Sequence, residues 1–165
     1  CISILFFIPQ VKQRFIGASD ALQANNIDKT STESTAVRML IWNEALQICK
    51  QHSLLGVSPG NANDALFEAY QKDGLTGAYN KKLNAHSQYF QITIGLGLIG
   101  LLSLLSLFIV PLFANKSKMV FLFVGITALN FLTESMFQAM AGCIFFGYFY
   151  GLICFSRAKQ SAANT

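Results

Sequence analysis

The stretch LNAHSQYFQITIGLGLIGLLSLLSLFIVPLFA, residues 83–114, decides the fold of this chain. It belongs to a run of 33 residues between Lys82 and Lys116 that contains no Asp, Glu, Lys or Arg. A helix that crosses a bilayer needs about 20 consecutive apolar residues. The run therefore predicts a transmembrane helix at residues 89–114.

A second uncharged run of 22 residues extends from Ser135 to Ser156, and 15 residues separate Lys118 from Glu134. Fifteen helical residues rise about 22 Å, which is less than the ~30 Å hydrocarbon core. Lys118 can lengthen this short span by extending its amine to the interface. We expect residues 119–155 to form two membrane helices as a hairpin that turns near Glu134.

The composition excludes several classes of protein. Of 165 residues, 53% are hydrophobic and 12% are charged, so disordered, disulfide-rich secreted and nucleic-acid-binding chains are excluded. The four cysteines lack the CxxC or Cys/His spacing of metal sites, and HExxH, GxxxxGK[ST], GxSxG and close Asp pairs are absent. We expect neither a metal site nor a cofactor.

The rest of the chain completes an all-α, polytopic membrane bundle with a partly helical loop. Residues 1–8, CISILFFI, are interpreted as the end of a truncated membrane helix. Because no initiator Met precedes them, we expect the natural protein to be longer. We expect these 165 residues alone to be inactive. Residues 9–88 form the loop, with helices near 35–51 and 62–71, and residues 156–165 form a cytoplasmic tail.

The basic residues leave the orientation open. Four flank each side of the predicted spans: Lys12, Arg14, Lys81 and Lys82 on one side, and Lys116, Lys118, Arg157 and Lys159 on the other. Cytoplasmic loops carry the excess of Lys and Arg, so equal numbers decide nothing.

Three polar groups are candidates for chemistry. Arg38 has a guanidinium that suits phosphate binding, although a lone arginine is more often a surface residue. His86 can accept a proton near neutral pH or contact a phosphate, although it also fits an interfacial histidine beside Tyr89 and Phe90. Glu134 is expected at the water interface, where a structural role is enough to explain a charged residue.

Four motifs give these residues a context. They occur in the order Arg38-x-x-x-Trp42, Leu54-Leu55-Gly56-Val57-x-Pro59-Gly60-Asn61, Ala85-His86-x-x-Tyr89-x-Gln91 and Gly97-Leu98-Ile99-Gly100-Leu101-Leu102. Over about residues 35 to 155 this order resembles the O-antigen ligase and polymerase superfamily. The resemblance implies a multi-pass glycosyltransferase of the bacterial inner membrane with its large loop in the periplasm, active in lipopolysaccharide or other polysaccharide biosynthesis.

The resemblance also implies substrates and roles. A ligase moves a glycan from undecaprenyl diphosphate to lipid A core or to protein, whereas a polymerase extends the glycan. Arg38 and His86 match the arginine and histidine associated with the site, and are the expected catalytic residues. Arg38, with Lys81, Lys82 and Tyr89 at the membrane end of the loop, is expected to bind substrate. The implied reaction is a metal-independent displacement that inverts the anomeric carbon.

The chain departs from the family pattern at four positions: Ser53, Ser58, Ser87 and Gly95 stand where Pro, Gly, Asn and an acidic residue are frequent. These departures leave the loop geometry and the choice of acceptor open.

Two alternatives to the ligase also stay open. One is an O-antigen or exopolysaccharide polymerase. The other, from a different class, is a non-catalytic transporter or scaffold subunit, for which ionisable residues inside the spans would be expected.

Overall fold

The computed structural model describes residues 29–30, 35–114 and 117–155. The regular secondary structure of these residues is all helical, with no strand, which confirms the predicted all-α class. Its elements are α1 Thr35–Gln51, α2 Ala62–Lys72, α3 Thr76–Asn80, α4 Gln88–Ala114, α5 Lys118–Thr133, a 3-10 helix at Met136–Gln138, and α6 Met140–Phe155. The predicted helix end at 1–8, most of the loop before α1 and the tail at 156–165 lie outside the described residues.

Helices α1 to α3 form a small unit, here called the loop unit, around one apolar cluster. Val37, Ile41 and Ala45 recur every four residues along α1, so they share one buried face. Leu66 and Tyr70 of α2 are fully buried in the same cluster. This shared core fixes the direction in which the remaining residues of α1 point.

The long helix α4 is interrupted at Gly97, where the sequence predicts a continuous span. Gly97 has φ 64° and ψ −155°, a region that is essentially restricted to glycine. The loop after α1 supplies hydrogen-bond partners at the break, because Ser53 O accepts from Leu98 N at 2.8 Å and Val57 N donates to Ile94 O at 2.8 Å. The apolar pattern around Gly97 does not predict this interruption, because the loop that causes it follows α1 and lies about 40 residues earlier in the chain.

Helices α4, α5 and α6 pack around a second cluster that is rich in phenylalanine. Phe131 lies at its centre, with ring centroids 5.5 Å from Phe108 and 6.0 Å from Phe146. The chain turns between α5 and α6 through the 3-10 helix. This turn lies against the start of α4, because Phe137 N donates to Gln88 Oε1 at 2.7 Å.

One described helix, α4, is long and apolar enough to cross a membrane, and α5 and Met140–Ile153 are shorter apolar helices. Only 28% of the most apolar part of α4 is buried. Large side chains such as Phe113, Phe121 and Ile144 are exposed on the outer faces of the three helices. An exterior of this kind is suited to a lipid environment.

Candidate functional site

His86 lies in the short connection between the loop unit and α4. Its backbone adopts φ 46°, a left-handed conformation that is uncommon for residues other than glycine. Its N–H donates to Asn84 Oδ1 at 3.0 Å, which closes a tight local turn. Such conformations persist where the surroundings impose them, and they cluster at functional sites.

A chain of side-chain amides holds this turn in place. Asn84 Nδ2 donates to Gln138 Oε1 at 3.2 Å, and Gln138 Nε2 donates to Asn63 Oδ1 at 3.1 Å. The same Asn63 oxygen accepts from Gln91 Nε2 at 2.9 Å, while Gln91 Oε1 accepts from Ala85 N at 3.3 Å. The chain links α2, α4 and the 3-10 helix, so the His86 turn is fixed from three elements.

Two further contacts fix the residues on each side of His86. Trp42 Nε1 donates to the Ala85 carbonyl at 3.0 Å, which ties the turn to α1. Ser87 is buried, and its hydroxyl donates to the Phe131 carbonyl at 3.2 Å, which ties the turn to α5. Ser87, a departure from the family pattern, therefore has a structural partner in this chain.

Arg38 is brought to the same end of the molecule by α1. It lies one turn before Trp42, and its side chain is 40% exposed. Its Nη2 lies 3.6 Å from Glu134 Oε1, and its Nη1 donates to the Thr133 carbonyl at 3.5 Å. The structure therefore joins Arg38 to the turn between α5 and α6.

The surroundings of His86 favour its neutral form. Burial lowers the pKa of His86 first, the positive charge of Arg38 lowers it further, and the negative charge of Glu134 opposes both effects. Its Nδ1 atom is buried and has no hydrogen-bond partner among the described residues. A neutral imidazole near pH 7 is able to accept a proton.

The other predicted site residues are placed differently. Lys81 and Lys82 are exposed after α3, and within the described ranges neither has a hydrogen bond or ion pair to the residues around His86. The Tyr89 hydroxyl donates to the Ala128 carbonyl at 3.0 Å, and its ring packs edge-on to Phe131. The structure thus brings Arg38 and His86 to one end of the molecule and gives Tyr89 a contact between α4 and α5.

Sequence reasoning missed the amides Asn63, Asn84 and Gln138, because isolated amides carry no recognisable spacing. It considered Glu134 but not its pairing with Arg38. One feature of the sequence does distinguish Glu134, because it is the one charged residue between Lys118 and Arg157. Across residues 29–30, 35–114 and 117–155, no three His, Cys, Asp or Glu side chains lie together in a way that could hold a metal ion.

In the part of the chain that the structure describes, the fold is all-helical, with one apolar helix of membrane-crossing length. An arginine, a histidine and a carboxylate lie at the end where that helix begins. Over residues 1–105 the sequence matches the family described as O-Antigen ligase. The chain belongs to this family, which confirms the resemblance seen in its motifs. Comparison with curated proteins and with solved structures found no match.

Members of the family are membrane proteins associated with ligase or polymerase activity on glycans. The matched range begins earlier than the motifs, which start near residue 35, and it stops inside α4. It includes Arg38 and His86. Glu134, with all of α5 and α6, lies beyond it.

Proposed function

We propose that this protein is an O-antigen ligase-like glycosyltransferase. It moves a glycan from undecaprenyl diphosphate to lipid A core or to another periplasmic acceptor. The observation that carries the proposal is the location of Arg38 and His86 at one end of the molecule, tied to the start of α4 and the end of α5. Membership of the O-antigen ligase family supports the reaction class.

The position of the site suits a lipid-linked donor. We propose that α4, α5 and α6 are all membrane helices of the bacterial inner membrane and that the loop unit is periplasmic. The diphosphate of the donor then lies at the interface while its prenyl chain stays among the exposed apolar faces of these helices. Lys81 and Lys82, both exposed, attract the anionic head group from this side.

The proposed chemistry is one displacement at the anomeric carbon, without a metal ion. Neutral His86 takes the proton of the acceptor hydroxyl as that oxygen forms the new glycosidic bond. The bond between the anomeric carbon and the phosphate oxygen breaks, and undecaprenyl diphosphate leaves with its electron pair. Arg38 stabilises the charge that develops on this leaving group. Attack opposite to the leaving group inverts the anomeric configuration.

The test uses cells that lack this protein and receive it back as wild type, Arg38→Ala or His86→Ala. Loss of a group that stabilises developing charge lowers rates roughly 100-fold or more. Both variants should therefore leave long glycan on the carrier lipid and fail to deliver it to the acceptor. Lys50→Ala, on the same helix as Arg38, and His52→Ala are matched controls, because both positions are exposed. Transfer by either site variant within a few-fold of wild type would refute the assignment.

The same experiment tests the alternative that the protein is a polymerase, an activity that is also associated with the family. Cells without the protein would then hold only single repeat units on the carrier, and the acceptor part of the proposal would be wrong. The transporter alternative has less support. In the described apolar helices, the one Asp, Glu, Lys or Arg is Lys118, the first residue of α5.

The topology has its own test by cysteine labelling in a variant without native cysteines. Ser87 is buried and unsuitable as a labelling position, so Asn80→Cys replaces it on the loop side. Lys118→Cys, at the exposed start of α5, reports the opposite side. We expect a membrane-impermeant reagent to label Asn80→Cys from the periplasm and Lys118→Cys only after the membrane is opened. Labelling of both from one side would contradict the topology.

A further inference from the structure

Glu134 is the feature of the site that neither the motifs nor the family match explains. It directly follows Thr133, the last residue of α5. Its Oε1 lies 3.6 Å from Arg38 Nη2, and the neighbouring Thr133 carbonyl accepts from Arg38 Nη1 at 3.5 Å. Both terminal nitrogens of the guanidinium therefore face the carboxyl end of α5. That end carries partial negative charge from the helix dipole.

This ion pair does little to hold the fold together. The two side chains are 40% and 54% exposed, and exposed pairs of this kind contribute little to stability. The two apolar clusters already join the helices. The ion pair instead restricts the conformation of the Arg38 side chain, which is long and would otherwise sample many rotamers. Because a guanidinium has five N–H donors in a planar fork, contacts to α5 leave donors for a phosphate.

Glu134 also acts on His86 through its charge. Among the described residues, the charged groups that act on the imidazole are Arg38 from α1 and Glu134 from the turn after α5. The side chains of α2, α4 and the 3-10 helix that brace the His86 turn are the uncharged amides Asn63, Gln91 and Gln138. The removal of the Glu134 charge therefore leaves the charge of Arg38 unopposed at His86.

We propose that Glu134 is a positioning residue for glycan transfer, whose carboxylate holds the Arg38 guanidinium in the orientation that binds the donor diphosphate and balances its charge beside His86. The inference rests on the proposed function, since it assumes that Arg38 binds the donor. The inference adds to the site a residue from the turn between α5 and α6, which lies outside the range that matches the family.

The test compares wild type, Glu134→Gln and Glu134→Asp in membranes that contain the intact protein, with donor concentration and pH varied. We expect Glu134→Gln to raise the KM for the lipid-linked donor roughly ten-fold, which is the scale of one charge-assisted hydrogen bond. We also expect the acidic limb of the rate profile to move to lower pH, because the pKa of His86 falls further when Glu134 loses its charge. Glu134→Asp keeps the charge and should recover most of the activity.

A merely structural role would change neither the KM nor the pH limb, because it would only reduce the amount of active protein. Glu68→Gln, at an exposed position of α2, is the matched control. Glu134→Gln should also add little to the defect of Arg38→Lys, because residues that act through one another are not additive. If Arg38→Ala and His86→Ala abolish transfer while Glu134→Gln keeps the wild-type KM and pH limb, this inference is wrong and the proposed function stands. If Arg38→Ala is active, both fail.

Discussion

A single methyl group added at Gly97 should strongly destabilise this fold. A Cβ built there would overlap the Leu54 carbonyl group and lie 2.6 Å from Leu55 N. Both contacts are with backbone atoms of the loop that hydrogen-bonds to α4 at the break. The overlap therefore cannot be relieved by the rotation of a side chain. In addition, φ 64° with ψ −155° is strained for any residue except glycine.

The expected cost of Gly97→Ala follows from these contacts. The backbone conformation costs about 1 to 3 kcal/mol for an L-residue. To relieve the overlap the loop must withdraw, which breaks hydrogen bonds such as Ser53 O with Leu98 N, and each is worth about 1 kcal/mol. We expect Gly97→Ala to destabilise the protein by roughly 3 to 6 kcal/mol, a large part of a typical total of about 5 to 15 kcal/mol.

The assay is thermal unfolding of the purified protein in detergent, followed by tryptophan fluorescence. Trp42 is the one tryptophan of the sequence, and it packs on Phe90 at the junction of α1 and α4. The midpoint of Gly97→Ala should fall by roughly 10 °C or more. Gly125→Ala is the matched control, because it lies in α5 and an added methyl group would meet no described atom within 4 Å beyond its chain neighbours and the nearby backbone of its own helix. Equal midpoints for the two variants would refute the argument.

Three further predictions concern the loop unit. Burial, with the hydrogen bond and charge of Asp73, raises the pKa of Glu44 from 4.5 to about 7. The stability that comes from the raised pKa of Glu44 is therefore complete below pH 4.5 and is lost as the pH rises towards 7. The unfolding midpoint of Glu44→Gln should lack this pH dependence. Trp42→Phe removes the donor to the Ala85 carbonyl and should lower transfer several-fold while the protein stays folded by circular dichroism; wild-type transfer would contradict this role. Burial raises the pKa of Cys49 to about 11, so its alkylation, followed by mass spectrometry, should be slow at pH 8 and accelerate towards pH 11.

The candidate site could be predicted only in part. The order of the motifs singled out Arg38 and His86, because sequence order is preserved whatever the packing. The reasons for their placement are not local. The His86 turn is fixed by Trp42, which belongs to a motif, and by Asn63 and Gln138, which are distant in sequence and belong to none. The catalytic roles of Arg38 and His86 and the substrate contacts of Lys81, Lys82 and Tyr89 stay predictions.

The sequence by itself determined that the chain is helical and that residues 83–115 form an apolar segment long enough to cross a bilayer. Charge, the length of an apolar run and helical periodicity depend only on residues that are close in sequence, so they can be predicted from the sequence itself. Only the tertiary structure decided that α4 breaks at Gly97 and that Arg38 meets Glu134. Both depend on how the loop unit packs against α4 and its neighbours, and a contact between residues almost 100 positions apart leaves no trace in local periodicity.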